Sequence, residues 1–412
     1  MQMSLRQAKR LEAIGRVTEG LWTMAVAAAA VGLSVRQLRR LCRSVEAQGA
    51  AGLLHGNRGK KPANKHIGKT TRKVVELARK KYAGFNDHHL TEKLAEVEKL
   101  VIGRSTVSRW LRTAGLGPVR KRRSRRHRRR RDRKAQAGLM IQWDGSHHDW
   151  LEGRGPWLTL VGAIDDATGE FLPGALFAEQ ECTAAYMHVL RGMLRDKGCP
   201  WSCYGDRHGI FRRNDDHWTL EEELRGAQDP TQLGRVLDGL GIERIDALSP
   251  QAKGRVERMW LTHQDRLVSE LRLAKANTCD EANVVLARYR RDHNRRFVVK
   301  AANAEPAWRK VATGLDLERV ISFRYDATVR NDNTIRLDGI LIDIPPGPGG
   351  RSYAQARVEV RQLLDGRWRV YLRDQRIATA TPTPLGDLRV RKTRKRPSAS
   401  KAFRAAVMSV RA

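Results

Sequence analysis

Acidic residues are outnumbered in this chain, with 45 Asp and Glu against 79 Lys and Arg, a formal charge of +34. That balance excludes a protein that works by repelling phosphate, and it points to nucleic acid as the partner, because neutralising phosphates dominates such affinities. An anionic membrane surface would attract the same charge. Long apolar runs are missing, however: Ala25–Val31 is far too short to cross a bilayer and sits within a helical pattern. No signal-peptide core is found near the start, so a cytoplasmic protein with no membrane partner is expected. Cysteine is sparse, odd in number and scattered (Cys42, Cys182, Cys199, Cys203 and Cys279). A disulfide framework is thereby excluded, and Cys199-x-x-x-Cys203 has no second pair at zinc spacing, so free thiols in a reducing compartment are expected. The apolar fraction, 41%, is still ample for packed cores.

The first 55 residues read as helices. Arg6–Arg16 is a basic amphipathic opening, Thr18–Ala30 an apolar helix, Val31-Gly32-Leu33 a turn, and Ser34 the cap of a helix from Val35 to about Gln48. Helix, Gly-containing turn and Arg-rich helix resemble a helix-turn-helix. Arg36, Gln37, Arg39 and Arg40 would face a DNA groove, with Val35, Leu38, Leu41 and Val45 inward; a plain helical bundle with solvated arginines is the competing reading. After a basic linker, 56–69, a second set of helices runs over 70–118: Thr70–Tyr82, then a helix starting at Asp87 or Thr91, then Ser105 capping Thr106–Thr113. It resembles a second, winged-helix-like module, with Arg104, Ser105, Ser108, Arg109 and Arg112 on its polar face and Val107, Trp110 and Leu111 in its core.

Arg120–Lys134 carries twelve Lys or Arg and one Asp in fifteen residues. Such a run repels itself too strongly to fold alone. It reads as an arm (119–137) that lies on DNA through Arg122, Arg125, Arg128, Arg129, Arg130 and Arg131, or else as a flexible linker.

Beyond the arm, 138–310 alternates strands and helices. Leu139–Trp143, Trp157–Ile164, Glu170–Ala178, Trp201–Gly205 and Ile242–Ala247 are candidate strands, with Thr183–Lys197 a helix and Asp165–Gly169 a hairpin turn. Two of the strands end on Asp144 and Asp206. Ser249-Pro250 is a helix-start signal, and the helix it opens carries Lys253 and Glu257 on one face. Two strand-end Asp residues and a helix-borne Glu supply hard oxygens for two Mg²⁺ or Mn²⁺ ions, which clamp the oxygens of an in-line phosphoryl displacement. Asp149, Asp165 and Asp166 read as turn residues, Asp149 being the substitute for Asp144 if the strand end is displaced. Asn214–Pro230 is an acidic insertion, either solvated or docked on basic surface.

Three motifs stand in order: Gln142-Trp143-Asp144-Gly145-Ser146-x-His148-x-Trp150, Tyr204-Gly205-Asp206-Arg207-His208-Gly209-Ile210-Phe211, and Ser249 to Trp260. Together they resemble the DDE transposases of the ISNCY type, within the retroviral integrase and RNase H-like superfamily. The 50 residues from 207 to 256 exceed the usual integrase interval. The resemblance implies Asp144, Asp206 and Glu257 as catalytic metal ligands and Lys253 and Arg255 as DNA contacts. His148 and His208 would contact DNA or orient an Asp. The segment Asn303-Ala304-Glu305-Pro306-Ala307-Trp308 resembles the one that closes such catalytic domains. From 318 to 382 short strands with Asp338-Gly339 and Asp365-Gly366 turns argue a small barrel, similar to the C-terminal barrel of phage Mu transposase; a basic tail follows, 383–412.

The whole is thus a multidomain α+β chain: helix-turn-helix modules, an RNase H-like mixed α/β core and a small β-barrel. The implied activity is cleavage of element ends and transfer of the 3′-hydroxyl to target DNA. The implied partners are double-stranded DNA, as terminal inverted repeats and as target, and a homo-oligomer, dimer or tetramer, assembled on it. A DNA-binding regulator with an inert core, or a nuclease without strand transfer, remain as alternatives on the residues alone. Replacing Arg40 or Arg109 should cost about 1–3 kcal/mol on the cognate site and relax specificity. Replacing Arg128 to Arg131 by Ala should instead weaken all DNA alike and flatten the salt dependence. Binding titrations on specific and random duplexes at several salt concentrations separate the two.

Overall fold

The computed structural model describes residues 3–55, 57, 68–117, 131–213, 215–247 and 254–388. It divides into two compact units, Met1–Lys73 and Val74–Ala412.

In the first unit, α1 (Leu5–Thr18), α2 (Met24–Ala30) and α3 (Val35–Gln48) pack around Ala13, Ile14, Ala27, Ala28, Leu38 and Leu53. Ser34 caps α3 in a reciprocal box with Gln37, as its sequence requires. α2 begins later than the apolar run suggested, because Thr23 takes the cap position by accepting from the Val26 N–H.

Another helical module follows, with α4 (Gly68–Arg79) running across the boundary into the second unit, then α5 (Asp87–Glu96) and α6 (Arg104–Thr113). Here Gly103, not Ser105, is the N-cap of α6, so Ser105 lies one residue inside the helix. Val74, Tyr82, Leu90, Leu94, Val107 and Leu111 form its core.

The central sheet has the order β3-β2-β1-β4-β5. Its strands are β1 (Met140–His148), β2 (Leu158–Asp165), β3 (Leu176–Ala178), β4 (Ser202–Gly205) and β5 (Glu243–Asp246). The first three run antiparallel, while β4 joins β1, and β5 joins β4, in parallel. β3 is shorter than the sequence suggested; the stretch before it meets β2 at an isolated Ile164–Phe171 bridge, with the Asp165 and Leu172 N–H groups donating to the Glu170 and Ala163 carbonyls. Helix α7 (Thr183–Asp196) and, after α8 (Leu220–Arg225), α9 (Gln232–Gly239) cover one face. Helices α10 (Gly254–Leu273) and α11 (Cys279–Phe297) cover the other. The order of strands and helices is that of an RNase H-like core.

The segment from Asn303 to Arg309 straps the core shut. Asn303 and Ala307 donate to the Ala135 and Ala137 carbonyls, and Arg309 exchanges both backbone bonds with Cys199. The acidic insertion is organised on Glu222, which is buried and accepts from the Thr219 and Asp229 N–H groups and from Arg213. The backbone donors of Asp229 and Thr219, with Arg213, bring its carboxyl down to about 2. The charge of Glu222 is therefore taken up beside the insertion and within it.

The C-terminal strands are β6 (Phe323–Thr328), β7 (Thr334–Leu337), β8 (Ile340–Asp343), β9 (Arg357–Gln362), β10 (Trp368–Leu372) and β11 (Gln375–Ala380). They form a sheet of order β11-β10-β9-β6 and a separate β7-β8 hairpin. The hairpin lies beside both edges, β7 near β6 and β8 near β11. No ladder joins them among the described residues, so the expected barrel is not closed by hydrogen bonds.

The second helical module is fastened to α10 and α11 by charge. Arg266, 6% exposed, makes a forked contact with Glu92 at 2.7 and 3.1 Å and stacks on the Phe297 ring. Arg296 reaches Glu92 and Glu96, Lys93 and His89 meet Glu270, and Asn86 donates to Asp265. Burial raises the Glu92 carboxyl, but Arg266 and then Arg296 overcome it and leave it below the ordinary value; Glu270 is lowered likewise by His89 and Lys93. Carboxyls depressed in the folded state stabilise it above their unfolded values, and the contribution fades as pH falls through the folded ones. Docking should thus hold at neutral pH and loosen on acidification below the usual Glu range. Glu92→Ala leaves Arg266 buried without its partner and should cost about 3–5 kcal/mol, seen as a lowered melting temperature and faster cleavage between α6 and β1 in limited proteolysis.

Candidate active site

β1 is longer than the sequence suggested. It continues to His148 because its antiparallel ladder with β2 runs on to the His148–Leu158 pair. On its other edge the pairing with β4 stops at Gln142–Tyr204. The two strands therefore diverge just before Asp144, which lies within β1 and not at its end. Side chains alternate along a strand, so Gln142 and Asp144 share a face. Gln142 and Tyr204 are in register, so two residues further Asp206 falls beside Asp144, on the same face and just past the end of β4.

That face is the one α10 covers. The Val256 N–H donates to Gln142 Oε1 at 3.3 Å, and Trp260 Nε1 donates to Asp144 Oδ2 at 3.2 Å. Glu257 lies between these contacts in the first turn of α10, with its side chain exposed. The Asp206 carboxylate accepts from the His208 backbone N–H at 3.0 Å. It is thus the His208 backbone that orients an Asp. His148 packs edge-on against Trp150. Asp149, after β1, accepts from the Gly153 N–H; Asp165, expected in a turn, is instead the last residue of β2, paired with Ile141, and accepts from the Gly138 and Thr168 N–H groups.

Beneath the carboxylates lies an aromatic cluster from three elements. Trp143 of β1, Tyr186 of α7 and Phe211 beyond β4 meet with ring centroids 4.8–5.5 Å apart. The Tyr186 hydroxyl donates to Glu181 at 2.5 Å. Burial pushes that hydroxyl well above its ordinary value, and Glu181, then Asp144 and Asp206, push it the same way. The structure thus places Glu181 at this phenol, behind the strand that carries Asp144. Glu181 was not legible in the sequence; the one trace of it is Gly145, where a Cβ would come within 2.7 Å of the Glu181 carboxyl carbon.

Among the described residues, no group of three His, Cys, Asp or Glu side chains is arranged to hold a metal ion. The three-carboxylate convergence expected from the sequence is not assembled in this structure. The oxygens of Asp144 and Asp206 are engaged by Trp260 and His208, while Glu257 faces solvent. In donor type and strand register Asp144 and Asp206 fit a hard divalent cation, with Glu257 on the helix above them.

The other carboxylates of this region are taken up by arginines. Asp246, at the end of β5, meets Arg212 and Arg244 at 3.3 and 3.2 Å, with Arg207 at 4.0 Å. Asp166, fully buried, holds Arg131 and Arg255. Burial would raise the Asp166 carboxyl, but Arg131, the Lys134 N–H and Arg255 bring it below the ordinary value. Arg131 and Arg255, expected from the sequence to bind DNA, thus have a partner within the chain. Arg112 is similarly tied to Asp87, and Gln37 is engaged in its helix cap. Arg36, Arg39, Arg40, Arg104, Ser105 and Arg109 are exposed, and Ser108 is half-buried. Lys253 and Arg122, Arg125, Arg128, Arg129 and Arg130 lie outside the described residues.

Comparison with known proteins bears on this geometry. A helix-turn-helix domain family matches residues 9–61. Over 391 residues the chain is 35% identical to y4bF of Sinorhizobium fredii, described as a transposase, spanning 92% of this chain and 84% of that protein. It is 32% identical over 331 residues to the transposase for insertion sequence IS1202 of Streptococcus pneumoniae, spanning 71% and 69%. Among solved structures it is similar to a simian T-cell lymphotropic virus intasome, at 12% identity and a TM-score of 0.31, over 75% of this chain and 100% of that one. It is also similar to the HTLV-2 integrase catalytic core with magnesium, at 14% and 0.29, over 40% and 92%.

Opposite Asp144 stands Gly162, where a Cβ would meet Phe171 at 2.7 Å and Trp260 at 3.3 Å. Gly162→Ala should therefore push Trp260 off Asp144 and cost about 1–3 kcal/mol through overpacking, measurable as a lowered melting temperature.

Proposed function

This chain belongs to the insertion-sequence transposases, and on that premise we propose that Asp144, Asp206 and Glu257 are the carboxylates with which it cuts element ends and joins them to target DNA. One observation carries the reading: Asp144 and Asp206 share a face where β1 and β4 diverge, and α10 lies over that face with Glu257 in its first turn. These oxygens would hold Mg²⁺ or Mn²⁺, two ions per site, which supply charge neutralisation at the attacking and leaving oxygens of an in-line displacement. Water is the first nucleophile and the freed 3′-hydroxyl the second, both at one site and with no covalent protein–DNA intermediate.

The chain's own residues orient the groups. Trp260 and the His208 backbone aim the two Asp carboxylates, each donating one hydrogen bond. Engagement of Glu257 requires its exposed side chain to turn toward Asp144, a rotamer change within one helical turn.

DNA recognition is divided between two modules. In the second unit a groove of about 490 Å³ runs between α5–α6 and α10, lined by His88, Arg104, Arg258, Leu261 and Phe297 among others. Arg104 opens α6 and Arg258 follows Glu257, so cationic groups lead from the reading helix to the site within one unit. Duplex read by this module would thus be led to the active site of the same subunit. Bridging to a second subunit falls to the first helix-turn-helix, to the basic arm and to the C-terminal β-domain, which would serve as a DNA or subunit dock. Joining two ends to one target needs two active sites, hence a dimer or tetramer formed on DNA. Mutual repulsion of chains at +34 opposes association until DNA neutralises them.

Asp206→Asn removes one charge from the metal cage and should leave DNA binding nearly unchanged. Nicking and joining of a labelled element end should fall below about 1% of wild type. Joining at the wild-type rate would sink the assignment.

A further inference from the structure

A carboxylate with many partners in this region is not one of the proposed three. Asp166 lies in the turn after β2, where an Asp ordinarily faces water, yet it is wholly buried. Its Oδ1 accepts from Arg131 at 2.5 Å, from Arg255 at 2.6 Å and from Gln142 Nε2 at 2.7 Å. Its Oδ2 accepts from the Lys134 N–H at 2.8 Å and from Arg131 at 3.3 Å. Arg255 donates in addition to the Arg131 carbonyl, and Arg133 donates to the Asp166 and Ala167 carbonyls. Burying an ion costs several kcal/mol unless its lone pairs are well met; here three segments supply the donors. They are the end of the basic arm, β1 and the first turn of α10.

The consequence falls on Glu257. Arg255 and Val256, just before it, are tied to Asp166 and to Gln142, itself bonded to Asp166; Trp260, one turn later, is tied to Asp144. We propose that Asp166 is a positioning residue, a carboxylate that touches no substrate but fixes the helical turn bearing Glu257 and fastens the DNA-binding arm to that same turn. The proposal rests on Glu257 being a metal ligand. It adds that the arm and the catalytic helix share one anchor, so a change at the arm's attachment is felt at Glu257.

Asp166→Asn keeps the size of the side chain and removes the charge that two guanidinium groups share. The test compares it with wild type, Arg255→Met and Glu257→Gln, all as full-length protein. Hydrogen exchange is read on peptides covering α10 and α7. Mn²⁺ binding is read by calorimetry, and nicking of a labelled element end over a range of Mn²⁺ concentrations. Asp166→Asn should speed exchange in the first turn of α10 while α7 stays as in wild type. Its Mn²⁺ affinity should weaken roughly tenfold to a hundredfold, the range for losing a group that holds a ligand from behind, with nicking recovered at high Mn²⁺. Arg255→Met should do the same, and it decides the matter if Asp166→Asn does not fold. Wild-type exchange in α10 together with wild-type Mn²⁺ affinity in either folded variant overturns the proposal. Glu257→Gln tells this failure from that of the underlying reading: if it nicks as wild type, Glu257 is not a ligand, whatever Asp166 does to the helix.

Discussion

The candidate site and the second helical module both meet α10, and α10 is where it is because of a few polar ties through an apolar wall. Its inner face buries Val256, Met259, Trp260, Leu267, Val268 and Leu271 against β2 and α11. Burial of that kind fixes a helix on a sheet but is tolerant of sliding, since apolar contact has no direction. The Arg255–Asp166, Val256–Gln142 and Trp260–Asp144 contacts supply the direction. They set the axial position and rotation of the first turn, so that Glu257 stands above the crevice between β1 and β4. Two turns further on, Arg266 and Glu270 carry the second helical module. The same helix therefore holds the candidate site at one end and the second helical module along its flank.

Charge is distributed unevenly between the interior and the surface. The chain has a large excess of Arg and Lys, yet many of its carboxylates are gathered at nodes where one acid serves two or three arginines. Asp166, Glu92, Glu359 and Asp246 are such nodes. An arginine placed at a node is removed from the DNA-facing surface, as Arg131 and Arg255 are. Net charge thus predicts the partner but overstates how many cations reach it. Among the described residues expected to meet DNA, Arg36, Arg39, Arg40, Arg104 and Arg109, on helices that begin after turns, stay exposed.

Much of the architecture was legible because it is local. Ser34 announces its helix through a reciprocal cap with Gln37 three residues on, whereas the same device at Thr219 and Glu222 lay unread inside the acidic insertion. The apolar runs of β1 and β2 and the helix after Thr183 follow from side-chain period alone. The misses have physical causes too. β1 overran its expected end since its antiparallel partner β2 extends the ladder past Asp144, and a strand's length is set by its neighbour as well as by its own residues. Ser105 lost the cap of α6 to Gly103, two residues that differ little as N-caps. The β7-β8 hairpin stayed separate from the larger sheet because closure depends on how edges meet, not on the turns that Asp338-Gly339 and Asp365-Gly366 encode.

The sequence by itself pointed to nucleic acid and to the family, and it singled out the candidate carboxylates, since composition, caps and spacing are properties of neighbouring residues. Only the tertiary structure decided which carboxylates keep company. Asp165 and Asp166 are adjacent in an ordinary turn signal, yet one caps that turn while the other gathers Arg131, Arg255 and Gln142. Glu181 carries no motif and still lies against Gly145, bonded to the Tyr186 hydroxyl below the Asp pair. Such partnerships join residues 24 to 89 positions from Asp166, or 36 from Gly145. Burial gives them their weight, because a carboxylate shut away from water must find its donors wherever the fold brings them.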